Sequence, residues 1–350
     1  MDQLKKLDLI SNVISSEATQ SIGNLINLTE LSIGYNDIGY KAVEYLSKLE
    51  KLTILNISKC KITNLGIESM IGMKQLTSLE ISENGIDDSG VKSLIELSQL
   101  TKLDIDHNEI RTEGCKCISQ MKNLTDLSVG LNGIDEEGIK FICELKQLTN
   151  LSAHAIQIVS VDGVQSITSL KQLISLNIGD NWIGDAGAKV ISEMKQLKTL
   201  YMHSTLIGID GTKSISEMTN LTFLDISANN LGDEGAKLIS GLNQLIKLWI
   251  SEISIGNEGA ESISKLEKLT ELDVHRNSIE TEGAKSLSKL KHLTRLDISE
   301  NFIEDSGVKY LSKMKKLKHL NVYDNGIDNG NKYLKRMKKQ LKKKNYGFIE

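Results

Sequence analysis

Six histidines and four cysteines are the side chains from which catalysis or metal binding would most simply be built. His154, His203 and His275 share one outward column of a repeating pattern, each separated from the next by at least one intervening unit. Adjacent strands lie about 5 Å apart, so histidines in non-adjacent units are roughly 10 Å apart. Ligands sharing a zinc ion each sit about 2 Å from it, which excludes shared ligation. His203 and Asp225 fall in adjacent units with Ser227 beside them, the residue types of a nucleophilic triad. The surrounding column is rich in Ser, Asp and His, so chance accounts for this grouping. No nucleophile elbow, phosphate-binding glycine loop or HExxH is present. The expectation is a protein that is not an enzyme, with no catalytic residue, no metal and no cofactor.

The elements that position these residues follow from a period. Leu-x-x-Leu-x-(Ile/Leu/Val)-x-x-Asn-x-Ile recurs fourteen times, beginning at Leu4, Leu28, Leu52 and so on to Leu317. Twelve of the thirteen intervals are 24 residues; the one from Leu148 to Leu173 is 25. Leu221, Leu224 and Ile226 show the local logic: aliphatic side chains at the first, fourth and sixth places predict a short strand with one face in the core. Phe223, Asp225 and Ser227 then point outward. Asn at the ninth place, as in Asn229 and Asn277, suits a buried ladder because one amide both donates to and accepts from turn backbone. Cys60, Ile156, Thr205 and Ile253 replace it in four units.

After the ladder, Gly232-Asp233-Glu234-Gly235-Ala236-Lys237-Leu238-Ile239-Ser240 predicts a helix of two to three turns, with Asp233, or Thr112 and Thr281 elsewhere, as its cap. Glycine recurs at one helical place in eleven units, from Gly66 to Gly307. Glycine weakens a helix, so its recurrence implies close packing between neighbouring units. The pattern predicts an α/β solenoid of fourteen repeats, a horseshoe with parallel strands on the concave face and helices on the convex face. Residues 1–334 form the solenoid and residues 335–350 a basic capping helix or tail.

This pattern resembles the leucine-rich-repeat superfamily, and the phrase Gly232 to Lys237 is most similar to its ribonuclease-inhibitor-like class. The 24-residue length with Gly-Ala after the ladder resembles the GALA-type repeats of bacterial effector proteins. The resemblance covers about residues 4 to 335. It implies a bacterial effector that recognises a protein, reaching a host cell by translocation. GALA-type effectors carry an F-box ahead of their repeats; here the repeats begin at Leu4, so that feature does not carry over.

On the outward columns, Tyr201 and Trp249 interrupt a run of small polar residues, and Phe223 joins them from the intervening unit with His203 alongside. The chain has only four Phe and two Trp. Placing Phe223 and Trp249 on an exposed sheet uses scarce apolar residues where they bury nothing within the chain, the composition of a binding hot spot. Asp225 and Asp273 are acidic neighbours, countered by Arg276 and Arg295. The expected site is therefore Tyr201, His203, Phe223, Asp225, Trp249, Asp273, Arg276 and Arg295, binding a protein partner with a basic surface and no small-molecule substrate.

The net charge is -4 over 350 residues. Residues 332–350 carry +7, leaving the rest at -11. The alternative expectation is therefore a binder of nucleic acid or anionic membrane, acting through Lys335 to Lys344. Leu334, Met337 and Leu341 fall on one face of a helix there. The start, MDQLKKLDLI, has no apolar signal region, no segment reaches the length of a membrane span, and Cys60, Cys115, Cys117 and Cys143 lack the spacing of a disulfide framework or zinc knuckle. The expected setting is the reducing cytoplasm.

Overall fold

The computed structural model describes residues 3–328, 331–343 and 347–349. By their internal contacts the residues divide into two compact units, Met1–Asn177 and Ile178–Glu350. In the first, three-residue strands from Lys6–Asp8 to Ser175–Asn177 pair in parallel in chain order. In the second, strands from Thr199–Tyr201 to His319–Asn321 do the same. Each place faces its counterpart one repeat away, as in Leu224 against Leu200 and Leu248. Identical side chains therefore line up in columns. The core columns are closed: Leu221, Leu224 and Ile226 are fully buried.

The asparagine ladder explains the turn after each strand. Asn277 Nδ2 donates to the carbonyls of Ile250 and Val274 at 3.0 Å, and its Oδ1 accepts from the Ile253 and Ile255 N–H groups at 3.2 and 3.1 Å. Buried turn backbone that would otherwise be unpaired is thus satisfied by one side chain. The residue before the ladder place is left-handed in every unit, with φ between 48° and 59°, although none is glycine. Such a conformation costs an ordinary residue about 1 kcal/mol or more, and the ladder holds it. Thr205 replaces one amide bond with its own, Oγ1 to the Met202 carbonyl at 2.7 Å, and Cys60 Sγ donates to the Ile33 carbonyl at 3.3 Å. Ile156 and Ile253 are buried and have no such donor.

The helices correct the capping expectation. Asp233 does not cap its own helix, Gly232–Ile239; its Oδ1 accepts from the Gly256 and Gly259 N–H groups at 2.7 and 2.8 Å, capping the helix Asn257–Ile263 of the next unit. Asp185 does the same for Gly208 and Gly211, and Asn257 for Glu280 and Gly283. Thr112 and Thr281 bond instead to Asp135 and to the Ile303 carbonyl. This arrangement accounts for part of the periodic glycine; at Gly66, Gly187, Gly235 and Gly307 a Cβ would meet the aliphatic side chain that precedes it in its own unit, Ile62, Ile183, Leu231 or Ile303. A Cβ on Gly259 would stand 2.5 Å from Asp233 Oδ1, and one on Gly211 2.5 Å from Asp185 Oδ1.

The extra residue of the 25-residue interval is taken up in the loop before Val161–Ile167, where Val159 is exposed and Ser160 caps the helix. The last helix runs Lys332–Lys343 and buries Leu334, Met337 and Leu341. Beyond it Phe348–Ile349 adds a strand to His319–Asn321, a pairing the period does not anticipate. Lys344, the end of the basic run, lies outside the described residues. Among the described residues no helix is long and apolar enough to cross a membrane.

Candidate functional site

Tyr201 and Trp249 end the strands Thr199–Tyr201 and Lys247–Trp249, on either side of Asp225, while Phe223 begins the strand between them. Two strand spacings separate the Tyr201 and Trp249 backbones, yet their ring centroids are 6.1 Å apart. Phe223 lies 4.5 Å from Tyr201 and 5.0 Å from Trp249. Tilted and edge-to-face pairs at such distances are favourable beyond their buried area.

This packing corrects one expectation. Phe223 does not stand open on the sheet; it is 7% exposed between the other two rings. Trp249, at 37%, is the exposed tip of the cluster, and Tyr201 is half-buried. Burial, with the Asp225 charge adding to it, raises the Tyr201 hydroxyl pKa.

Asp225 is buried at the base of the cluster. Its Oδ1 accepts from the Ser227 N–H at 3.0 Å and its Oδ2 meets His203 Nδ1 at 3.0 Å. His203 Nε2 lies 3.3 Å from Asp180 Oδ2. The ring reaches across because the preceding unit has Gly179 at this place, where a Cβ would run into the imidazole. His203 is therefore bracketed by two carboxylates, and its pKa is raised, chiefly by the hydrogen bond to Asp225. Both of its nitrogens face acids, while Ser227 Oγ accepts from the Ser251 N–H at 3.2 Å. The three residues do not form the nucleophile–base–acid chain that hydroxyl activation requires.

Asp273 sits opposite Trp249 in register and Asp297 opposite Asp273. Asp273 Oδ1 bonds to His275 Nδ1 at 2.7 Å, and burial raises its pKa, with the Asp297 charge adding to that. Arg276 is exposed but already engaged in ion pairs. It occupies a left-handed rim position and bridges Glu252 at 3.1 Å and Glu300 at 2.7 Å. Arg295 stands exposed at the start of its strand, opposite Glu271. The structure thus gathers Tyr201, His203, Phe223, Asp225 and Trp249 into one group, with Asp273 adjoining and Arg276 and Arg295 apart from it.

Sequence reasoning passed over Trp182 and Leu206, which share the tenth place of successive units and are 70% and 67% exposed. Trp182 is the second of only two tryptophans, and that scarcity was the available signal. Among the described residues no cluster of three or more His, Cys, Asp or Glu is arranged to hold a metal ion. The four cysteines are free, and burial pushes the Cys143 thiol up to about 12.

Family models described as leucine-rich repeat match residues 24–47, 50–110 and 120–143, and one described as leucine-rich repeat region matches 181–347. No curated protein sequence matches the chain. Among solved structures, it is similar to an internalin (inlF) of Listeria monocytogenes, with 25% identity and a TM-score of 0.59 over 85% of this chain and 88% of that one. A leucine-rich-repeat protein of Leptospira interrogans shares 21% identity at a TM-score of 0.51, over 100% of this chain and 96% of that one. A chain of the mouse RP105/MD-1 complex shares 17% at 0.60, over 100% and 71%. Repeat period, strand register, ladder and family match agree: the chain belongs to the leucine-rich-repeat superfamily.

Proposed function

We propose that this protein is a non-catalytic recognition module that binds another protein through the open sheet face of its second unit, with Trp249 at the centre of contact. Leucine-rich-repeat proteins are in general protein-binding modules, and the repeat geometry offers a long uncovered sheet for the purpose. The observation that carries the proposal is the Tyr201–Phe223–Trp249 cluster on an otherwise polar face. Two rings hold the third in place, so Trp249 loses little freedom on binding, a property of hot-spot residues.

The partner presents a basic side chain beside an apolar one. Trp249 offers a ring face to a cation, and Asp273 and Asp297 continue its column with negative charge. The setting is bacterial, a reading supported by the similarity to a Listeria internalin. The protein acts as a translocated effector in a reducing host cytoplasm, where four unpaired cysteines are stable.

Affinity capture at physiological salt tests this with the intact chain, Trp249→Ala and Asp273→Asn/Asp297→Asn. The proposal expects partners held by the intact chain to be lost with Trp249→Ala, and held more weakly and with less salt dependence by the double variant. Retention of every partner by Trp249→Ala, in a protein whose unfolding midpoint is unchanged, would refute it.

A further inference from the structure

The loops that follow the helices of the last repeats gather lysines at places where two earlier units carry lysine–glutamate pairs. Two places before the first leucine of a unit, Lys74 reaches Glu96 of the next unit at 2.8 Å and Lys195 reaches Glu217 at 3.9 Å. At the corresponding places near the C-terminal end, Lys291 faces Lys313, and both line one hollow with Lys315 and Lys316. One place further on the lysines are hydrogen-bonded throughout: Lys51 donates to Asn27, Lys268 to Gln244 and Lys316 to His292 Nδ1, the last at 3.1 Å. The like charges of Lys291 and Lys313 repel one another, and Lys313 lies instead over the Tyr310 ring, 5.1 Å from its centroid. Among the described residues neither hollow in this region that includes Lys313 has a carboxylate in its lining.

A second observation adjoins the first. Between the loop after Glu304–Leu311 and the helix Lys332–Lys343 lies an open cleft of about 730 Å³. Met314, Met337 and Leu341 form its apolar wall, and Lys313, Lys315 and Arg336 its rim. In the preceding unit Leu290 occupies the place of Met314 and is 2% exposed, whereas Met314 is only half-buried because the last helix does not close over it. Clefts of this volume accommodate small-molecule ligands.

We propose that this cleft and the lysines beside it dock an anionic glycerophospholipid of a membrane surface, the head group lying against Lys313, Lys315 and Arg336 and the chain end against Met314 and Met337. A basic row alone would serve any polyanion; the apolar wall selects a ligand with a hydrocarbon part, which a nucleic acid lacks. The site is remote in sequence from the aromatic cluster and does not depend on it.

The experiment uses the full chain with phosphatidylcholine vesicles, vesicles in which about a third of the lipid is phosphatidylglycerol, and a labelled duplex DNA of roughly twenty base pairs. Lys313→Glu is the informative variant. It gives Lys291 the glutamate partner that Lys74 has in Glu96 in exchange for the contact of Lys313 with the Tyr310 ring, so it leaves the unfolding temperature nearly unchanged. It lowers partitioning onto anionic vesicles roughly tenfold or more, as reversal of a charge near such a surface should. Trp249→Ala partitions like the intact chain. Equal partitioning onto neutral and anionic vesicles, or no change with Lys313→Glu, overturns the proposal. DNA binding without vesicle binding overturns it in favour of a general polyanion surface, and competition by free glycerol phosphate as strong as by vesicle lipid removes the role given to the apolar wall.

Discussion

His203 and Asp104 are two side chains whose protonation the fold changes in ways that can be measured. The pKa of His203 is raised by its hydrogen bond to Asp225, with Asp180 assisting. A histidine whose folded pKa exceeds its unfolded value contributes stability that is complete below about pH 6.5 and is lost as pH rises through the folded pKa. His203→Gln should therefore lower the melting temperature at pH 6 by more than it does at pH 9, as followed by circular dichroism. An equal deficit at both pH values would mean that packing alone holds the ring.

Asp104 has the opposite consequence. Burial, with Asp106 and Glu80 nearby, pushes its pKa up to about 6. Its ionised form is the costly one in the folded state, so its contribution to stability falls as pH rises between the unfolded value of 3.8 and about 6. Asp104→Asn retains an oxygen for the Asp106 N–H that Asp104 Oδ1 now accepts at 3.1 Å. It should stabilise the chain by about 2 kcal/mol at pH 7.5 and by little or nothing at pH 3.5 in denaturant titrations. At this scale the sequence showed which residues shared a column. It did not show that Phe223 would be buried, because that depends on Tyr201 and Trp249 leaning together across two strand spacings.

Among the elements, the caps that Asp185, Asp233 and Asn257 lend to the following unit couple successive helices. Asp233→Ala removes two hydrogen bonds from the start of Asn257–Ile263 and should cost about 1–2 kcal/mol. Gly259→Ala should destabilise by a comparable amount even though alanine is the better helix former, because its Cβ meets Asp233 Oδ1 at 2.5 Å and, less closely, Ile255 Cβ at 3.0 Å. The double variant should then cost less than the sum of the two, since removing the carboxylate relieves the closest contact of the methyl and leaves the one with Ile255. Additive costs in urea unfolding would show that the two residues act separately. The period made the glycine legible as a site of close packing. Its cause was not legible, because an aspartate in a first helical turn reads locally as a cap for its own helix. Strand Phe348–Ile349 was missed for a related reason: it lies outside the repeat and is too short to carry a pattern.

Over the whole molecule, repetition does two kinds of work. Leucine columns and the asparagine ladder set a backbone that any of the fourteen units can adopt, and the outward columns are then free to vary. Function is sought where variation departs from the polar background, which is why the aromatic group at Tyr201, Phe223 and Trp249 and the lysine-rimmed cleft beside Met314 stand out. The fold was readable almost entirely from one recurring phrase. The candidate site was readable only as a set of neighbours, and its division into a buried base at Asp225, a packed ring at Phe223 and an exposed tip at Trp249 is set by how the three rings pack across the strands.

The most direct test of the recognition proposal is site-specific photo-crosslinking, with Trp249 replaced by p-benzoylphenylalanine and, as the control, Lys237 on the exposed side of the helix Gly232–Ile239 replaced in the same way. The proposal predicts a covalent adduct with a partner polypeptide from position 249 and none from position 237. An adduct from 237 with none from 249 would contradict it, placing recognition on the helical side of the repeats.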